Sequence, residues 1–385
     1  MRRFATPLAG LALLAAVAAA VYAVRPSPAA PPARRAPVGE RIVRALARGI
    51  EFLLRQQSDD GAWRSDTYGT FKDGPALTPL ALHALQEADH PAGPARERSA
   101  RYLARMAKPG GSIDAGPAGL DYPVYTAALA VQSLSNENPT EFRAARDVWL
   151  AFLLARQLTE PNGWAPADPE YGGWGYCRTV PKKSMPGVLA PPLVESNLSA
   201  TVFALDALHA AGHRDDARMR AAGRYVARMQ NRDGGFHFID GDPVRNKAGF
   251  PANSPTPNSY GSATADGVRG LLRTGRDAAA GRRWLVERFR PDTHPGDYVP
   301  AHESNREAVY FYYAASAAKT LRELKATEAG GGRWAERLGA ELADRQQPDG
   351  SWRNPVSLVR EDDPVTATCW AVTALANCRK VVEGK

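Results

Sequence analysis

Cysteine is scarce, with three in 385 residues, so no disulfide framework holds this chain together. Cys369 and Cys378 lie nine apart in one helical stretch, about 13 Å along its axis and beyond disulfide reach. Aromatic residues make up only 8 %. The chain has no Gly-x-x-x-x-Gly-Lys-(Ser/Thr) loop, no Gly-x-Ser-x-Gly elbow and no Cys-x-x-Cys, which removes the phosphate-loop, α/β-hydrolase and dithiol readings. No histidine pair has metal-ligand spacing, so neither a metal nor a cofactor is expected. Charge of one sign is also missing from most of the chain. The net charge is +8, but residues 1–44 alone hold seven arginines against Glu40, leaving +2 for the rest. A phosphate-binding stripe would need a local basic excess in the body, and none exists. Nucleic acid is not an expected partner.

What is present begins at the N-terminus. Arg2 and Arg3 precede an uncharged run from Phe4 to Val24, which Arg25 ends. Basic residues before an apolar segment of about one bilayer span read as a signal peptide or signal anchor. Residues 1–25 are assigned to it, and 26–37 to a Pro-rich linker. The expectation is an exported protein, either membrane-anchored or released to the periplasm or exterior.

From Val38 to about residue 380 the chain repeats itself. Each unit runs from an amphipathic helix through a Gly-aromatic turn into a more apolar helix. The turn is clearest at Gln57 to Trp63, Gln230 to Phe236 and Gln346 to Trp352, with a longer copy at Gln157 to Trp164. Weaker copies lie at Gly110 to Ile113 and His294 to Tyr298. The second helices are expected at Thr78–Ala88, Tyr125–Leu134, Asn197–Ala211, Tyr260–Leu272, Asn305–Leu321 and Val365–Cys378. Polar-faced helices belong outside and all-round apolar ones inside. Six such hairpins predict an all-α fold, an α/α toroid in one domain over 38–380.

The Gln-x-x-Asp-Gly-x-(Trp/Phe) turns resemble the QW motifs of the squalene-hopene and oxidosqualene cyclase family, whose toroid is shared by protein prenyltransferase β subunits. The segments Gly172 to Tyr176, Ser196 to Thr201 and Asn258 to Thr264 are similar to prenyltransferase/squalene oxidase repeat proteins. That resemblance implies an isoprenoid or other apolar ligand, and class II chemistry would need an Asp-x-Asp-Asp-Thr acid. The nearest string, Glu361-Asp362-Asp363-Pro364-Val365-Thr366, lacks the first Asp and the adjacent Thr. Asp362 and Asp363 are therefore the candidate catalytic acids, with helix N-capping as the plainer role for either. The prenyltransferase zinc pattern is absent, since Ala367 stands two residues before Cys369.

Inner-helix starts converge at one end of a toroid, making a polar-mouthed pocket there the default binding site. Its candidate residues are Asp121, Tyr125, Glu195, Asn197, Tyr260, Asp266, Asn305, Glu307 and Trp370. Two functions remain: a non-catalytic toroid that binds an apolar ligand or a partner protein, and a divergent class II terpene cyclase-like enzyme.

Overall fold

The computed structural model describes residues 36–384 apart from 92, 118, 139 and 186. The Phe4–Val24 segment and nearly all of the linker therefore lie outside the described residues. Among the described residues there are thirteen α-helices and no extended strand, and no helix is long and apolar enough to cross a membrane.

The outer helices are α1 (Val38–Gln56), α3 (Pro94–Met106), α5 (Arg143–Leu154), α7 (Asp216–Arg228), α9 (Ala279–Arg288) and α12 (Trp334–Arg345). In α1 the buried residues are Ile42, Ala45, Leu46, Gly49, Phe52 and Leu53. That spacing is a single helical stripe, which fits a helix facing the core on one side. The inner helices are α2 (Thr78–Glu87), α4 (Pro123–Ser135), α6 (Leu198–Ala210), α8 (Gly261–Arg273), α11 (Tyr310–Glu323) and α13 (Pro364–Val382). Every residue of α6 from Leu198 to Leu208 is buried, as a helix packed on all sides requires. Each inner helix packs on the next, and α13 returns to α2, while α1 packs on both α12 and α13. Two concentric layers close on themselves, so the fold is an all-α toroid.

The Gly-aromatic turns share one hydrogen-bonding scheme. The backbone N–H groups of Trp63, Trp174, Phe236 and Trp352 each donate to a threonine hydroxyl near the start of the next inner helix: Thr78, Thr201, Thr264 and Thr368. The three indoles donate back to the preceding outer helix, at the carbonyls of Leu53, Leu153 and Leu342. Gln57, Gln230 and Gln346 donate to the carbonyls of Gly61, Gly234 and Gly350. Those glycines have φ near +90°, a conformation costly for a residue with a Cβ. Gln157 instead reaches Gly172. The aromatic residue of this repeat is thus Trp174, not Trp164 as the spacing suggested. The Gln–Gly separation is 15 here against 4 in the other copies, so residues 158–171 contain an insertion, and Trp164 packs in its own small cluster with Leu158, Tyr171 and Val194.

A second departure is at the fifth inner helix. Asn305–Leu321 was expected as one helix, but α10 (Ser304–Ala308) ends at Val309 and α11 starts anew at Tyr310. The cause is a distant carboxylate. Glu361 accepts from the N–H groups of Phe311 and Tyr312 at 2.9 and 2.7 Å, satisfying donors that a continuous helix would have used internally.

Candidate functional site

All six inner helices contribute to the barrel axis. A cavity of about 30 Å³ lies there, lined by His83, Gln132, Asp206, Arg269, Lys319 and Trp370 among others. That is room for one or two waters, far below the few hundred Å³ of a small-molecule site. The axis is filled instead by rings. Tyr125 stacks on Tyr176 at 5.3 Å and meets the edge of Phe203 at 4.5 Å. Phe203 and Tyr312 both pack on Trp370, at 6.3 and 5.3 Å. Tyr122 meets Tyr176 edge-on at 5.2 Å and is exposed, so the cluster runs from the surface to the axis. Of the run Tyr310 to Tyr313, the Tyr310 and Tyr313 hydroxyls donate to Pro291 and Arg290 carbonyls, and Tyr312 is the ring that joins the axial cluster.

Asp266 sits among these rings, fully buried. It was expected near the start of its helix, but it lies more than a turn inside α8. Its carboxylate accepts from Ser199, Ser316 and Tyr312 hydroxyls at 2.8, 2.6 and 2.6 Å and from Arg269 at 3.0 Å. Four donors consume its acceptor sites. Burial raises the Tyr125 phenol to about 12 and pushes that of Tyr312 well above its ordinary value, so both rings stay neutral donors.

Below the rings lies a charge network that the sequence analysis missed. Arg269 and Arg273 bind Asp206 at 2.9 and 2.8 Å, and Arg273 also binds Glu323. Lys319 stands 3.6 Å from Glu87 and 3.7 Å from Asp206. Burial opposes ionisation of Glu87, but Lys319, His83 and Lys380 outweigh it and hold the carboxyl at about 2. Burial, helped by Lys319, lowers His83 to about 4, and its Nδ1 has no hydrogen-bond partner among the described residues. The available signal was a charge inside an apolar helix, such as Asp206 in Leu198–Ala210, because buried charges persist only when paired.

The remaining sequence candidates are dispersed. Asp363 caps α13 by accepting from Thr366 N at 2.8 Å and also from the Ser65 hydroxyl. Asp362 accepts from Tyr68 at 2.6 Å. Asn197 caps α6 through Ala200 N. Glu195 pairs with Arg245, and Glu307 with Arg345. Asn305 donates to the Lys247 carbonyl at 3.0 Å. Tyr260 packs against His294 and Tyr298, with a phenol raised well above its usual value by burial. Asp121 binds Arg360 at the rim, 2.6 Å away. Only Tyr125, Asp266 and Trp370 meet on the axis. The three cysteines are free and buried.

A wider recess of about 480 Å³ opens between Gly39–Arg44 and Arg379–Glu383. It lies outside the inner ring, and among the described residues no aromatic lines it.

No protein-family model matches this chain, and no curated protein does. Solved structures do. The type II terpene cyclase MstE from Scytonema, in complex with merosterolic acid A, superposes with a TM-score of 0.58 at 14 % identity, covering 90 % of this chain and 99 % of that one. MstE without ligand gives 0.56 at 14 %, covering 89 % and 99 %. An unsaturated glucuronyl hydrolase (UGL) bound to dGlcA-Glc-Rha-Glc gives 0.54 at 12 %, covering 89 % and 96 %. These likenesses are to the fold. The chain is of the α/α-toroid class, which hosts unrelated chemistries.

Proposed function

We propose that this toroid binds an apolar, isoprenoid-type ligand at the axial rings and holds it without cyclising it. The contiguous cluster Tyr122, Tyr125, Tyr176, Phe203, Tyr312 and Trp370 carries this reading. Ring faces suit alkyl and alkene chains, and the MstE structures with geranylgeranyl dihydroxybenzoate and merosterolic acid A supply a precedent for such ligands in this fold. The rings must part to admit one, since the cavity that Phe203, Tyr312 and Trp370 share with the charge network is about 30 Å³. Cyclisation needs an acid that aims a proton at an alkene. Asp266 is occupied by four donors, and Asp362 and Asp363 are tied to Tyr68, Ser65 and Thr366.

One observation favours the enzyme instead. Burial pushes the Glu361 carboxyl up to about 8, which favours the protonated form beside the Asp pair against the Phe311, Tyr312 and Asn354 donors that favour the carboxylate. The experiment is incubation of the full chain with geranylgeraniol and with squalene, followed by native mass spectrometry and a product search. Retention of unchanged ligand, lost in Tyr125→Ala, is expected. A cyclised product that vanishes in Glu361→Gln would make the protein an enzyme, and no retention of either compound would remove the isoprenoid reading. An extracytoplasmic placement through Phe4–Val24 belongs to the same proposal. Cell fractionation that found the full-length chain in cytosol would sink it.

A further inference from the structure

At the rim the side chain of Arg360 is enclosed by three rings from two other repeats. Its guanidinium carbon lies 5.0 Å from the Tyr68 ring centre, 5.3 Å from that of Phe71 and 5.2 Å from that of Tyr122. All three are within the range of a cation–π contact. The same guanidinium binds Asp121 Oδ2 at 2.6 Å and donates to Thr70 Oγ1 at 2.9 Å. Rings on several sides with a carboxylate at the back form a cage for an organic cation.

The three rings have supports other than the arginine. Tyr68 is held by its hydrogen bond to Asp362 and its edge contact with Phe71 at 5.4 Å. Phe71 is buried, and Tyr122 rests on Tyr176. The occupant is the strained part. Arg360 has φ = +65°, a left-handed conformation unfavourable for a residue with a side chain. Its side chain remains 24 % exposed, so solvent reaches the cage.

We propose that Tyr68, Phe71, Tyr122, Thr70 and Asp121 form a guanidinium-recognition site, which Arg360 fills at rest and vacates for an external guanidinium. The ligand chemistry is the one the cage already holds: a planar cation that offers N–H donors to Asp121 and Thr70 and faces to the rings. Exchange is between like groups. Arg360 competes from within the same molecule, so an external guanidinium must win by concentration or by contacts beyond the cage. Departure of Arg360 would also free the face of Tyr122 that it covers, at the outermost ring of the axial cluster. The inference does not depend on the isoprenoid reading.

The test is calorimetric titration of the full chain and of Arg360→Gly, which suits the positive φ, with methylguanidine and with N-acetyl-arginine amide. Sodium chloride at equal ionic strength is the control. The variant is expected to bind at least tenfold more tightly than the unaltered chain, and Tyr122→Ala added to it is expected to abolish the gain. Binding of both compounds identifies the arginine side chain as the ligand, and binding of methylguanidine alone identifies a small free guanidinium. Equal affinity in variant and unaltered chain, or a gain that survives Tyr122→Ala, overturns the proposal. Should Arg360→Gly lose its helical circular dichroism, Arg360→Gln, which keeps a donor toward Thr70 without the charge, is read by the same criteria.

Discussion

The Tyr312 hydroxyl donates to Asp266 Oδ2 at 2.6 Å, joining α11 to α8 at the barrel axis. Ser199, Ser316 and Arg269 supply the other donors. Tyr312→Phe removes one of four bonds to a buried carboxylate and leaves the ring in place. The expected loss is about 1–3 kcal/mol, read as a lower urea midpoint with unchanged helical content.

Arg269 serves two acids at once, Asp206 and Asp266. Arg269→Met leaves Asp266 without its cationic partner while Asp206 keeps Arg273 and Lys319, and the expected cost is about 3–5 kcal/mol. Adding Asp266→Asn should recover part of that loss, because the second change removes the charge left without a cation. Denaturation of the single and double variants decides it. A double variant less stable than the single one would show that the pair is not the source of the cost.

Glu361 links pH to stability. Its folded carboxyl titrates near 8 against an ordinary 4.5, chiefly through burial. The folded state keeps a proton that the unfolded state releases between those values, so this group's contribution falls as pH rises from about 4.5 to about 8. Glu361→Gln removes the dependence. The melting temperature of the variant relative to the unaltered chain should rise between about pH 5 and about pH 8.5. A constant difference would show that the carboxyl is ionised throughout.

Trp174 and Trp164 should behave differently. Trp174 is wholly buried, with its indole bonded to Leu153, and Trp174→Ala should cost about 3–5 kcal/mol. Trp164 belongs to the insertion, and Trp164→Ala should cost clearly less. Thermal melts of the two variants check the repeat assignment.

Asp363 caps α13, so Asp363→Ala should lose about 0.5–2 kcal/mol. Asp363→Asn keeps an oxygen for Thr366 N and should stay near the original stability. The Asn variant therefore separates capping from proton donation: loss of product formation without loss of melting temperature would make Asp363 an acid.

Part of the candidate site was legible because side-chain type alone places it. Tyr125 and Trp370 are large rings on apolar helices, and a ring in such a helix has the interior as its surroundings. Asp266 was legible as a polar residue of its helix, but its partners were not, because Ser199, Tyr312 and Ser316 come from helices about 46 to 67 residues away. Asp206 and Arg269 were overlooked, although a charge in an otherwise apolar helix is a local signal. Which partner each one finds is not local, since Arg269 and Asp206 are 63 residues apart.

The sequence by itself determined the toroid. Glutamine, a positive-φ glycine and an aromatic ring form a turn within a few residues, and the alternation of one-sided and all-round apolar helices assigns the layers. Local chemistry repeated along the chain is enough for that. Tertiary structure decided the rest: that Gln157 skips to Gly172, that Glu361 breaks a helix about 50 residues away, and that the axis holds rings and ion pairs in place of an open chamber. Those outcomes depend on which groups meet when the ring closes, and closure brings together residues from opposite ends of the chain.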